Sequence, residues 1–272
     1  MKKEKYSCLY PAGLHLEKTI KRIPPDFKYN LDYFYFLINE ISIKSTYIME
    51  ENDWESWVGM CSSIMKKHPY KYNEHFKYLI SEKTDGGILW GKKYSTGKCF
   101  SYRLATKYFM QTFKTYEITD YKLIKYINKS QNEKIISNNK FKKKYNFLAK
   151  YFESGLLKID LKGAMDENYE IFKSGNCLPY EALLKQRLIA IQITRISNEN
   201  YSLSYSYKTD GRIHSQITNL NKNLRKYMTY NGKRLTEVDI KSSVPTFFIY
   251  ILKEIGSSLI QLLYVYLDYE HR

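Results

Sequence analysis

Acidic side chains are in short supply in this chain. Its 28 Asp and Glu stand against 44 Lys and Arg, leaving a formal charge of +16. Such an excess favours polyanionic partners and speeds their encounter. Cysteine is sparse too: Cys8, Cys61, Cys99 and Cys177 are widely spaced and form no CxxC pair. That spacing argues against a disulfide framework or a zinc finger, and the expectation is reduced thiols. No apolar run approaches the roughly 18 residues of a membrane span. The basic start MKKEK leads into no apolar stretch of signal length. The expectation is a soluble, cytoplasmic protein without a membrane partner.

What the chain has in plenty is tyrosine, 28 residues. Tyrosine stacks on bases and reaches phosphates with its hydroxyl. An AT-rich coding sequence, which inflates Lys, Asn, Ile and Tyr together, accounts for the same count. Residues 1–30 read as an irregular arm broken by Pro11, Gly13 and Pro24-Pro25. The apolar run from Leu31 leaves helix and strand undecided. Asn52–Ile80 reads as helix, with Trp54, Trp57, Val58 and Met65 in the core. Turn residues Asp85-Gly86-Gly87 and Thr96-Gly97, with alternation at Phe100, Tyr102 and Leu104, predict a β-hairpin. Helices followed by a hairpin with Lys92, Lys93 and Lys98 at its tip resemble a winged helix-turn-helix. The stretch Gly91–Cys99 has one residue too many for a phosphate loop and a cysteine where Ser or Thr is needed, so it reads as a turn. The resulting division is 1–125 as a helical and hairpin region, 126–144 as a basic linker or loop, and 145–272 as a second domain.

In the C-terminal third, Leu178–Ser197 reads as a buried scaffold helix begun by Pro179, with Lys185, Arg187 and Arg195 outside its apolar surface. Tyr201–Tyr207 alternates as a strand does, and Thr209-Asp210-Gly211 ends it. A short amphipathic helix is expected around Asn221–Tyr230, and Asn231-Gly232 is a hairpin turn signal. From Lys208 to Arg234 the chain carries 7 Lys/Arg and one acid, Asp210. The next strand places Glu237 and Asp239 on one face and Val238 and Ile240 on the other. Ser242 and Pro245 then start a helix. An acid at a strand end before a capped helix suits a magnesium ligand beside phosphates. The alternative is an exposed acid balancing nearby lysines.

The run TDGRIHSQITNL…LRKYM…LTEVDIKSSVPTFF resembles the start of the palm in family A-like polymerases, the group of DNA polymerase I and the single-subunit phage RNA polymerases. The resemblance implies an α+β chain whose C-terminal part is a partial palm-like antiparallel sheet with covering helices. It casts Asp239 as the catalytic, metal-ligating aspartate, with the Ile240 carbonyl as a second ligand for Mg2+. Arg212, with His214, Lys222, Arg225, Lys226 and Arg234, would contact DNA or RNA, near an incoming nucleoside triphosphate. The motif departs from DYSQIE, and neither motif B nor motif C follows before Arg272. The expectation is therefore an incomplete polymerase-like replication protein of phage or mobile-element type, inactive alone unless further sequence or a protein partner completes its site. The competing expectation is a non-enzymatic DNA-binding replication initiator or regulator with a winged-helix N-terminal half. A third is a metal-dependent nuclease using Asp239 and Glu237.

Overall fold

The computed structural model describes residues 5–51, 56–84, 86–92, 99–136, 146–174, 179–201, 204–205 and 213–236. The chain divides into two compact units, Met1–Leu235 and Thr236–Arg272, and of the second only Thr236 is described. The fold class is α+β, with a helical N-terminal half, a β-hairpin and sheets that are antiparallel throughout the described residues.

The undecided run after Asn30 is a helix, α2 (Leu31–Glu50). The Asn30 side chain accepts the Tyr33 backbone N–H at 2.9 Å, and Asp32 stands in the first turn, which together favour a helix start. Tyr33, Phe34, Tyr35, Leu37, Ile38 and Ile41 are all buried. A helix apolar on every side becomes the centre of a core. Around it sit β1 (Tyr6–Pro11), α1 (Leu16–Arg22) and the antiparallel pair that β1 makes with β5 (Phe113–Ile118). The other edge of β1 meets side chains instead of a strand. Asn198 accepts the Ser7 N–H and donates to the Ser7 carbonyl, both at 2.8 Å. Asn39 accepts the Leu9 N–H at 2.8 Å.

The single helix expected over Asn52–Ile80 is instead a strand and two helices: β2 (Val58–Met60), α3 (Ser62–Met65) and α4 (Tyr72–Ile80). The alternation Val58 in, Gly59 out, Met60 in is a strand period that the longer helical pattern obscured. The hairpin is present as β3 (Leu89–Lys92) and β4 (Phe100–Leu104), with β2 on the far side of β4. Gly87, at φ 85°, turns the chain from α4 into β3, and a Cβ there would lie 3.1 Å from the Leu89 carbonyl oxygen. A short helix α5 (Thr106–Phe109) leads into β5, and α6 (Tyr121–Ile136) follows it, so helix runs through 126–136 of the stretch read as a linker.

Beyond it come α7 (Asn146–Glu153), β6 (Leu157–Ile159), α8 (Leu161–Ser174) and α9 (Pro179–Ser197). Pro179 opens α9 as expected. The helix joins two cores: Ala190 and Ile191 lie in the cluster around α2, while Ile193 and Ile196 pack with Leu157, Ala164, Leu220, Leu224 and Met228. Arg187, placed outside the apolar surface by the sequence pattern, is wholly buried. Its guanidinium donates to the carbonyls of Phe109 and Gln111, each at 2.7 Å, and lies 4.5 Å from the Phe113 ring centre. Those carbonyls stand at the C-terminal end of α5 and just past it, which gives a buried donor its reason to be there. Burial pushes its pKa down to about 10.

The amphipathic helix expected over Asn221–Tyr230 is a 3-10 helix, Lys222–Tyr227, followed at once by β9 (Met228–Tyr230). β9 pairs with β6 on one side and β10 (Lys233–Arg234) on the other. Asn231 and Gly232, at φ 49° and 74°, make the hairpin turn by both adopting positive φ. β7 (Ser204–Tyr205), within the strand expected over Tyr201–Tyr207, pairs with β8 (Ile213–His214); the expected turn at Thr209-Asp210-Gly211 lies outside the described residues.

Candidate nucleic-acid interface

The elements α2, β2, α3, α4, β3 and β4 follow one another as helix, strand, helix, helix, strand, strand. The sheet order is β2-β4-β3, so the first strand docks beside the last. Helix α4 buries His75, Phe76, Tyr78 and Leu79 on its inner face. Ser62, Ser63, Lys66, Lys67, Lys71, Asn73 and Lys77 are exposed. Between Ser62 and Lys83 the sequence holds Lys66, Lys67, Lys71, Lys77 and Lys83 against Glu74 and Glu82. Lys71 is paired with Glu74 at 3.2 Å.

The inner side of this helix pair is held by neutral histidines. His75 Nδ1 lies 2.8 Å from the Lys71 carbonyl, and its Nε2 accepts the Asn30 backbone N–H at 3.3 Å, an arrangement that fixes the proton on Nδ1. Desolvation lowers its pKa. His68, 3.0 Å from the Tyr33 hydroxyl, is lowered by burial, and by the charge of Lys44, to about 4. Next to it Tyr70 donates to Asp120 at 2.7 Å, while Asp32 accepts from Tyr116 and from the Thr119 and Asp120 backbones at 2.7–2.8 Å. The turn between α3 and α4 is thereby fixed to α2 and α6, so the lysines project from a braced surface.

The hairpin adds a second group. Trp57, expected in the core, is only half-buried. It sits against the Arg103 guanidinium at 4.8 Å, and Arg103 in turn lies 4.6 Å from the Trp90 ring centre. Trp54 lies outside the described residues. Cys61, which begins α3, and Cys99, just before β4, form a disulfide with Cα atoms 5.1 Å apart. The expectation of reduced thiols is corrected here: 38 positions separate the two cysteines, and only the folding of β2 onto β4 brings them together. Cys8 is free and buried, and desolvation raises its pKa well above the usual thiol range.

The C-terminal candidates fare differently. Arg212, Asp239 and Ile240 lie outside the described residues, as does the side chain of His214, whose backbone pairs with Ser204 in β8. Lys222 and Arg234 are exposed. Arg225 reaches back to the carbonyls of Leu220 and Thr218 at 3.2 and 3.4 Å. Lys226 meets Glu167 at 3.1 Å, and Tyr227 donates to the same carboxylate oxygen at 3.2 Å. The hydrogen bond from Lys226 holds Glu167 below its usual range. Arg225 and Lys226 are thus engaged in bracing the 3-10 helix. Close by, Tyr151, Phe152, Leu157, Ile217, Tyr230 and Leu235 line an apolar cavity of about 310 Å3. None of its described lining residues is a carboxylate, histidine or cysteine.

Among the described residues no three His, Cys, Asp or Glu side chains form a metal-binding group, and no helix is long and apolar enough to cross a membrane. Comparison with protein-family models, curated proteins and solved structures finds no match. The residues that sequence reasoning missed are Trp57, Trp90 and Arg103. Their signal was the outward register of Trp90 and Lys92 against inward Leu89, visible once β3 is taken as a strand.

Proposed function

We propose that this chain is a nucleic-acid-binding protein of the replication initiator or regulator kind, which docks duplex DNA on α3 and α4. The connectivity from α2 to β4, which resembles that of a winged helix-turn-helix, carries the reading, and the exposed lysines of α4 and of the turn before it supply the charge. A helix of this kind lies in the major groove while basic side chains hold the flanking phosphates. The test is fluorescence anisotropy of the full chain on a random-sequence duplex across a salt series. Lys66→Glu and Lys77→Glu should each weaken binding and flatten the log-log salt slope by about 1. Binding that is indifferent to both substitutions, or to salt, would refute the reading.

A second reading, a polymerase-like replication protein, rests on the resemblance around Asp239. It calls for Mg2+ at Asp239 and the Ile240 carbonyl, a nucleoside triphosphate, and a partner or further sequence supplying the missing carboxylates. Its test is primer extension with Mg2+ in the presence of the product of the adjacent reading frame. Activity that Asp239→Asn abolishes supports it, and activity that survives the substitution removes it.

A further inference from the structure

Two of the chain's 3 tryptophans, Trp57 and Trp90, sit outside the core on one face of the β2-β4-β3 sheet. Trp90 is 39% exposed. Trp90 and Arg103 are direct register partners, and Trp57 lies one residue before the Val58–Tyr102 pair, which puts it opposite Arg103 on the other side. One rung of three adjacent strands therefore reads Trp, Arg, Trp. The next rung on the same face, about 7 Å along the strands, reads Gly59, Ser101, Lys92. Lys92 lies 5.7 Å from the Trp57 ring centre.

Among the described residues, the sheet's buried hydrophobic side chains lie on the opposite face. Val58, Met60, Leu89, Tyr102 and Leu104 are buried there, and Tyr102 stacks on Phe76 of α4 at 4.0 Å. The outer rungs contribute nothing to that core. Gly59 on the outer face is not required by crowding either, since a Cβ would meet only the Cys99 Cβ, at an ordinary 3.9 Å. Its bare backbone keeps the surface beside the indoles flat.

We infer that this face is a stacking platform for unpaired bases of a single-stranded nucleic acid, with Arg103 and Lys92 meeting the backbone phosphates. Indole rings held apart by a guanidinium present flat π surfaces. Bases inside a duplex show only their edges, so such a platform selects strands whose bases are free to stack. The charge on the face suits the phosphates of that strand. The inference deepens the proposed function and rests on this chain being a nucleic-acid binder. It adds that the sheet face receives the strand once a duplex is opened, while α3 and α4 hold the duplex itself.

The test uses the full chain with three probes: a 20-mer of deoxythymidine, a 20-mer of uridine, and the random duplex. Tryptophan fluorescence and anisotropy are read together. Either single strand should quench the tryptophan emission, and the tighter of the two identifies the sugar. Trp90→Ala should weaken single-strand binding about 5- to 150-fold and leave duplex affinity unchanged. Trp90→Phe should retain most of the affinity. Lys66→Glu with Lys77→Glu should do the reverse, losing duplex and keeping the single strand. Matching urea midpoints for wild type and variants show that folding is intact. Wild-type binding of duplex without single strand would overturn the platform and leave the duplex reading standing. Trp90→Ala and Trp90→Phe both indistinguishable from wild type on the single strand would overturn it as well.

Discussion

Replacing Arg187 by alanine should unfold the molecule more easily than any exposed substitution, and the size of the effect can be worked from its contacts. Two opposing terms meet at this residue. A buried guanidinium that donates to backbone carbonyls and the Met49 sulfur carries a desolvation cost, visible in a pKa lowered to about 10, and removing it relieves that cost. Against this, the carbonyls of Phe109 and Gln111 would each lose a 2.7 Å donor. An unsatisfied buried carbonyl costs about 1–3 kcal/mol, so the pair loses about 2–6 kcal/mol. The vacated volume beside Met49 and Phe113 adds a packing loss. The carbonyl and cavity terms win, and Arg187→Ala should cost about 3–5 kcal/mol. Arg187→Met fills the space without restoring the donors and should fall between the two. Urea unfolding monitored by circular dichroism measures the midpoints, with the slope checked for constancy. An Arg187→Ala midpoint within error of wild type would mean that water or rearranged backbone satisfies those carbonyls, and the reasoning would fail.

The other expectations concern the same scaffold. Reducing Cys61–Cys99 opens a loop of 38 positions, and chain entropy sets the loss at about 4 kcal/mol at most; a urea midpoint unmoved by dithiothreitol, or moved equally in Cys61→Ser, would contradict this. The lowered pKa values of His68 and His75 mean that the unfolded chain binds protons more readily than the folded one. Stability from both rings is therefore fully present above the ordinary histidine pKa and falls as pH drops below about 6.5, in the case of His68 toward its folded pKa of about 4. The slope is at most about 1.4 kcal/mol per pH unit for each ring, less for the partly exposed His68. Equal midpoints at pH 7.5 and 5.0 would refute it. Asn198→Ala strips both partners from the Ser7 backbone and should cost about 2–4 kcal/mol, with faster hydrogen exchange at the Ser7 amide as the local readout.

Features set by neighbouring residues were legible in the sequence. Asn231-Gly232 can hardly be anything but a tight hairpin turn, Pro179 marks a helix start, and the glycines before Leu89 announce a strand. The segment after Asn52 was misread because three residues of strand period, Val58–Met60, are outweighed by helical spacing on either side. Arg187 was misplaced for a different reason. Its partners are backbone carbonyls more than 70 positions away, and no side-chain pattern encodes them. The cysteine pair and the Trp57–Arg103–Trp90 rung likewise exist only through strand register. The resemblance around Asp239 points to the C-terminal third, whereas the described geometry presents exposed lysines between Ser62 and Lys77 and the Trp57–Arg103–Trp90 rung on the neighbouring sheet.

The amide brackets on the edge of β1 also impose a timetable on a chain emerging from a ribosome. Leu9 meets Asn39 after 30 residues, yet Ser7 must wait 191 residues for Asn198. At about 5–20 residues per second, the second bracket arrives about 10–40 s after the strand it closes. During that interval β1 is an open edge, available to any other extended chain nearby. Slowing translation lengthens that exposure without altering the finished fold, so the yield of correctly folded molecules should depend on how fast the message is read.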